Sequence, residues 1–133
     1  MERGKQTMIL VDTNIIIDFW RNPSEALRRI FSEERVAICG ISKAELMRGA
    51  KSEANLLAIS ETLSDFEYIS LDESIWNEVG KLGYRLRKNG ITVPFQDVVL
   101  CALALRYNLL LWSKDSHFAL IKTVIEDLRL FNP

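Results

Sequence analysis

Three short, unbroken apolar runs constrain the fold of this chain more than any other feature of its sequence. Met8–Val11 is stopped at once by Asp12. Val36–Cys39 ends at Gly40, and Leu109–Trp112 has the same character. Runs of this length without polar alternation are typical of strands buried on both faces. Because longer helical patterns separate them, the sequence predicts an α/β fold with a mostly parallel sheet covered by helices on both sides.

Helical periodicity fills most of the remaining chain. The predicted helices span residues 14–20, 24–33, 42–50, 53–64, 72–89 and 94–107, with a short one from about residue 116. Weaker strand patterns at 66–69 and 128–131 bring the sheet to about five strands. Gly90 suits the left-handed position after a helix end, and Pro94 suits a helix start.

The length and charge of the chain fit one domain. It has 133 residues, and 17 basic against 18 acidic side chains give a net charge of −1. We therefore expect a single domain over residues 1–133, with 1–7 as a flexible extension and no basic tail for nucleic acid.

The two cysteines and the short apolar runs indicate the compartment. Cys39 and Cys101 lie inside apolar runs, which predicts buried thiols in a reducing environment and excludes a disulfide framework. The apolar run at the N-terminus is shorter than the ~7–15 residues of a signal peptide, and no run approaches the ~20 of a membrane span. We expect a cytoplasmic protein with no membrane partner.

Four acidic residues follow predicted strands or begin predicted helices. They are Asp12, Glu45, Asp97 and Asp115. In open parallel sheets, ligands bind beyond the carboxyl ends of the strands, where helix N-termini also point. The four carboxylates therefore mark the edge of the sheet where chemistry is expected.

Each acid also has a purely structural interpretation. Asp12 and Asp115 are good helix N-caps, and Ser42 to Glu45 fits a capping box. Asp97 is favoured near a helix N-terminus by ~0.3–1 kcal/mol. These alternatives stay open for each residue taken alone.

Taken together, the acids predict a cation site. Val98–Leu105 is apolar without a break, so the helix behind Asp97 is expected to be buried all round and to present Asp97 to other elements. Carboxylates that share a pocket raise one another's pKa. A divalent cation such as Mg²⁺ or Mn²⁺ relieves that repulsion with oxygen ligands, and acid-only metal sites suit phosphodiester cleavage.

Four segments of the sequence resemble, in order, the motifs of PIN-domain ribonucleases, and most of all the VapC toxins of type II toxin–antitoxin pairs. The segments are Ile9–Asp18, Ser42–Gly49, Pro94–Ala104 and Ser113–Phe118. The resemblance implies a three-layer α/β/α sandwich. It also implies an endoribonuclease that uses Mg²⁺ or Mn²⁺ and leaves 5′-phosphate and 3′-hydroxyl ends. A homodimer and a silencing VapB-like antitoxin are implied as partners.

The resemblance assigns roles position by position. Asp12 and Asp97 match metal ligands, Glu45 matches the glutamate that shapes the metal pocket directly or through water, and Asp115 matches the last acid. All four are expected to be catalytic residues that hold the ion. Ser113 stands where many members have threonine, and Thr13 and Asn14 are expected to support Asp12.

Two alternatives and a few further residues complete the expectations. A non-catalytic PIN scaffold that binds RNA or protein is the main alternative. An Asp-x-Asp phosphatase is disfavoured because Asn14 stands where the second aspartate belongs. His117, the single histidine, is interpreted as structural. Arg48 and Lys51 are candidates for contacting substrate phosphate.

Overall fold

A five-stranded parallel sheet forms the centre of the computed structural model, which describes residues 7–133. Its strands are β1 (Ile9–Val11), β2 (Val36–Cys39), β3 (Glu67–Ile69), β4 (Leu110–Trp112) and β5 (Arg129–Leu130). The strand order is β3-β2-β1-β4-β5, and every neighbouring pair is parallel. The predicted sheet is confirmed. The predicted extension at 1–7 lies, apart from Thr7, outside the described residues.

Seven helices in residues 7–133 connect and cover the strands. They are α1 (Thr13–Arg21), α2 (Glu25–Glu33), α3 (Gly40–Arg48), α4 (Glu53–Leu63), α5 (Ile75–Lys88), α6 (Phe95–Tyr107) and α7 (His117–Lys122). None of these helices has the length and apolar character needed to cross a membrane.

The sheet separates two apolar clusters, so the fold has three layers. Ile9 and Val11 of β1 pack with α1 to α4, whereas Leu10 between them packs with α5, α6 and α7. This alternation is expected when successive side chains of a strand point to opposite faces. Both faces of β1 are therefore buried against apolar side chains, which explains its unbroken apolar run.

Helix α6 is the most deeply buried helix of the fold. Every residue from Asp97 to Ala104 is buried, as the apolar sequence predicted. Its end is set by Asn108, which adopts a left-handed conformation at φ 56° that asparagine tolerates better than most residues.

The end of α5 follows the sequence prediction, but its start does not. Gly90 has a φ of 78°, and the Ile91 N–H donates to the Leu86 carbonyl at 2.9 Å, as in a Schellman motif. The helix begins at Ile75 rather than Asp72, because the Asp72 carboxylate accepts the Ser74 N–H (3.0 Å) and holds these residues in a turn.

The start of α3 also differs from the prediction. The helix begins at Gly40 directly after β2, and Cys39 occupies the N-cap position without a side-chain cap. The sequence predicts that Gly40 ends the strand, yet it is the first helical residue. Ser42 therefore lies within the helix instead of capping it.

The strand order fixes the place of the site. The chain leaves β1 for β2 on one side, and β4 later adds on the other side, so a topological switch point lies between β1 and β4. The Asp12 N–H donates to the Trp112 carbonyl at 2.9 Å, which aligns the carboxyl ends of these two strands.

The burial of α6 makes a stability prediction. Leu103→Ala, in a side chain with no exposed surface, should lower the free energy of unfolding by about 2–5 kcal/mol because it leaves a cavity. Leu120→Ala, at a site 49% exposed, should change it by less than about 0.5 kcal/mol. Urea titration measures both, and equal losses would contradict this account of the core.

Candidate metal centre

A hydrogen-bond network holds Asp12 at the carboxyl end of β1. The Ser113 hydroxyl, just beyond β4, donates to Asp12 Oδ2 at 2.8 Å. The Thr13 N–H donates to Asp12 Oδ1 at 2.8 Å. Asn14 Nδ2 donates to Ser113 Oγ at 3.1 Å and lies 3.5 Å from Asp12 Oδ2. The three predicted supporting residues therefore surround Asp12 and fix its carboxylate.

Asp97, Asp115 and His117 form a second group at the same edge. His117 Nδ1 lies 2.9 Å from Asp97 Oδ2 and 2.9 Å from Asp115 Oδ1. One ligand atom from each residue lies within 4.8 Å of the other two. The Asp115 carboxylate also accepts the His117 N–H at 3.0 Å, so it pairs with the first N–H of α7 while facing the cluster.

The pKa shifts indicate that the two groups act on one another. Burial raises the pKa of Asp12, and the charge of Asp115 adds to the increase. Burial also raises the pKa of Asp97, with further increases from Asp12 and Asp115. The Ser113 and His117 hydrogen bonds offset these effects in part. Carboxylates from β1, α6 and the segment after β4 thus share one electrostatic environment.

Two further groups respond to the same charges. The pKa of the Cys101 thiol is raised by burial and then by Asp97 and Asp12, so both carboxylates lie near this α6 side chain. The pKa of His117 is raised chiefly by its hydrogen bond to Asp97, with Asp115 contributing. The excess of negative charge is therefore concentrated here.

Glu45 lies at the border of the cluster rather than in its centre. The Thr13 hydroxyl donates to Glu45 Oε1 at 3.3 Å. The Glu45 carboxylate therefore contacts the residue that follows Asp12 in the sequence. The capping-box interpretation is wrong, because Ser42 is buried inside α3 and its hydroxyl has no hydrogen-bond partner among the described residues.

The donor set fits a divalent cation. It consists of carboxylate oxygens with one imidazole nitrogen, and Mg²⁺ and Mn²⁺ favour oxygen ligands. Among residues 7–133, no lysine or arginine forms an ion pair with Asp12, Asp97 or Asp115; the neighbouring Lys114 pairs with Asp18 at 2.6 Å. The clustered negative charge is therefore uncompensated apart from His117.

The contact that His117 makes does not follow from the sequence. The sequence favours a structural role for this residue, but the ring lies against two of the predicted acids. The available signal was its position two residues after Asp115 in the only histidine-containing segment. The two candidates for contacting substrate phosphate lie in different surroundings. Arg48 lines a cavity with Glu45, whereas Lys51 is exposed and does not line that cavity.

Comparison with known proteins decides the family. Residues 9–123 match the PIN domain. The chain belongs to the PIN-domain family. The match covers all four acids, from Asp12 after β1 to Asp115 after β4.

Similar proteins carry the same fold. Ribonuclease VapC1 of Methanocaldococcus jannaschii is 28% identical over 119 residues, which cover 89% of this chain and 84% of that protein. The DNA-bound VapBC structure of Salmonella typhimurium aligns over 95% of this chain and 98% of that chain, with a TM-score of 0.81 and 24% identity. VapBC-1 of nontypeable Haemophilus influenzae aligns over 94% and 97%, with a TM-score of 0.79 and 26% identity.

The raised pKa values make a prediction for the metal-free PIN domain. A carboxyl group whose pKa is higher when folded destabilises the fold as pH rises through its ordinary value and beyond. Asp97→Asn should therefore gain stability relative to the wild type as pH rises from about 3 to about 8, because the variant has no carboxyl group to ionise at this position. Denaturation in chelator at both pH values measures the difference.

Asp127→Asn is the matched control, because this exposed residue lies just before β5, at the opposite edge of the sheet. The difference in stability between Asp127→Asn and the wild type should be the same at both pH values. If Asp97→Asn gained no stability between the two pH values, burial and the neighbouring acids would not destabilise the ionised Asp97 carboxylate.

Proposed function

We propose that this chain is a divalent-metal-dependent endoribonuclease and the toxin of a VapBC-type toxin–antitoxin pair. The convergence of Asp12, Asp97 and Asp115 at the switch point between β1 and β4 carries the proposal. Membership of the PIN family and the similarity to a ribonuclease VapC1 support it. The chain would form a single domain over residues 1–133. It would act on RNA in the cytoplasm.

Asp12, Asp97 and Asp115 would hold Mg²⁺ or Mn²⁺, with Glu45 at the border of the site. When bound, the ion supplies Lewis acidity, which activates water and stabilises negative charge on the phosphate. The ligand positions are set before the ion arrives, because Ser113 and Thr13 fix the Asp12 carboxylate. Burial within α6 leaves Asp97 little freedom to move.

The other polar side chains have distinct tasks. Ser113 positions Asp12 and also accepts the Asp115 N–H at 3.0 Å, so one hydroxyl links two acids. Glu45 is fixed by Thr13 through one carboxylate oxygen, and its other oxygen would be available to orient the attacking water. Hydrolysis then breaks the bond from phosphorus to the 3′-oxygen and leaves 5′-phosphate and 3′-hydroxyl ends.

Metal-dependent RNA cleavage tests the proposal. Purified wild-type protein should cleave a structured RNA with Mg²⁺ or Mn²⁺ and lose activity in chelator. Asp12→Asn and Asp97→Asn should each lower kcat by about 100-fold or more, since the metal contributes several kcal/mol of transition-state stabilisation. Sequencing of RNA ends gives the cut sites and the end chemistry.

Asp127→Asn again serves as the control and should cleave like the wild type. Equal cleavage by the wild type, Asp12→Asn and Asp97→Asn would contradict the proposal. If no preparation cleaved and Asp97→Asn left the calorimetric Mn²⁺ binding unchanged, the alternative of a non-catalytic PIN scaffold would replace it.

An open aromatic groove supports the antitoxin partner. A cavity of about 400 Å³ between α1, α2 and α4 is lined by Phe19, Trp20, Phe31 and Phe66. Phe19 and Phe31 stack with their centroids 4.3 Å apart. An amphipathic helix inserts apolar anchors into grooves of this kind, and we assign the groove to a VapB-like antitoxin because the similar structures are VapBC proteins.

An exposed stripe on α5 supports the homodimer. Trp76 and Tyr84 are 41% and 59% exposed, and Gly80 between them has open space above it. Residues spaced by four lie on one helix face. Exposed aromatic side chains beside a glycine allow close approach of a second copy, which we place here.

A further inference from the structure

An open cavity adjoins the metal centre on the side of Glu45. It measures about 320 Å³ and lies between α3 and the first turn of α6. Glu45 and Arg48 line it from α3, and Phe95 lines it from α6. We call this cavity the Phe95 pocket. Because Glu45 also accepts a hydrogen bond from Thr13, the neighbour of Asp12 in the sequence, this residue lies between the pocket and the acidic cluster.

Phe95 has no role in the core. Its side chain is 63% exposed, the highest value among the exposed large hydrophobic residues described. It lies two residues before the buried Asp97, and no other aromatic ring packs against it in residues 7–133. A second cavity, of about 220 Å³, also has Phe95 in its wall, together with Arg87 of α5. The ring therefore borders two cavities.

Arg48 is the cation in the pocket. It is exposed, and it forms no ion pair or hydrogen bond with another side chain in the described part of the chain. Lys43 on the same helix is engaged differently, with its ammonium 5.9 Å from the centre of the Tyr68 ring. The guanidinium of Arg48 thus keeps its donors available for a ligand next to a cluster of acids.

We propose that the Phe95 pocket binds the nucleotide next to the scissile phosphate, with its base stacked on Phe95 and its phosphate contacted by Arg48. This inference rests on the proposed ribonuclease function and adds a substrate-binding subsite to it. It makes a single-stranded stretch of RNA, such as a loop within a structured RNA, with a base free to leave its stack, the substrate class.

The chemistry of the pocket favours a nucleotide over other occupants. Single-stranded RNA is recognised by stacking of bases on aromatic side chains and by cations that follow the phosphates. The volume falls in the range of small-molecule sites. A second protein copy would place apolar surface over Glu45 and Arg48 and bury their charges, which is unfavourable without partners.

An abasic substitution in the RNA tests the stacking contact. The cut site in a structured RNA that the wild-type protein cleaves is mapped first. An abasic site is then placed at each nucleotide flanking the cut, and dissociation constants are measured in chelator. The abasic site at one of these two nucleotides should weaken binding to the wild-type protein by about 5- to 150-fold, the range for stacking of one base.

Variants of Phe95 and Arg48 test the same contacts from the side of the protein. Phe95→Ala should weaken binding of the intact RNA by the same factor and be insensitive to the abasic site, whereas Phe95→Trp should restore both affinity and sensitivity. Arg48→Gln should lower the slope of log Kd against log salt by about 0.7, the value for one phosphate contact on a single strand. Tyr107→Ala, an aromatic residue 44% exposed at the far end of α6, should change none of these.

Three outcomes distinguish a failure of the Phe95 pocket proposal from a failure of the proposed ribonuclease function. If the wild type cleaves but Phe95→Ala binds intact and abasic RNA like the wild type, the inference is wrong and the ribonuclease stands. If the wild type does not cleave any RNA, the proposed function fails first. If Phe95→Ala changes the mass in light scattering from dimer to monomer, a second copy covers the ring and the inference is overturned.

Discussion

The repulsion between carboxylates at one edge of the sheet is the constraint on which the rest of this structure depends. Asp12, Asp97 and Asp115 come from positions far apart in the chain. Burial is the main cause of the raised pKa of the first two, and the charge of the neighbouring acids adds to it. A fold selected for stability alone would separate these groups. Their convergence is understandable if an ion normally balances the charge, since a cation restores the favourable energy of the ionised carboxylates.

The fold holds this arrangement through two rigid features. Strands β1 and β4 are hydrogen-bonded neighbours, so Asp12 and Ser113 meet at the same level of the sheet. Helix α6 is buried from Asp97 to Ala104, and it cannot shift without opening the core. Its N-terminus points at the cluster, where the helix dipole favours a negative charge. The single hydroxyl of Ser113 donates one hydrogen bond and accepts two, which uses its full capacity.

The elements that burial controls could be predicted from the sequence, and the contacts between distant residues could not. The apolar runs at β1, β2 and β4 and the continuous apolar stretch of α6 each identify an element whose environment is uniform. Glu45 is different, because its partner Thr13 lies 32 positions away and local spacing suggested Ser42 instead. His117 likewise meets Asp97 across 20 positions. The start of α3 at Gly40 was missed because a glycine after a strand favours a turn when only its neighbours are considered.

Anomalous diffraction from crystals soaked in Mn²⁺ tests the central claim most directly. We expect one or more peaks with oxygen atoms of Asp12 and Asp97 at about 2.0–2.3 Å, the range of bonds between hard divalent cations and carboxylates. The same soak of Asp97→Asn crystals should lose or weaken those peaks. Ordered Mn²⁺ found only elsewhere on the surface, with the carboxylates of Asp12 and Asp97 unligated at saturating metal, would contradict it.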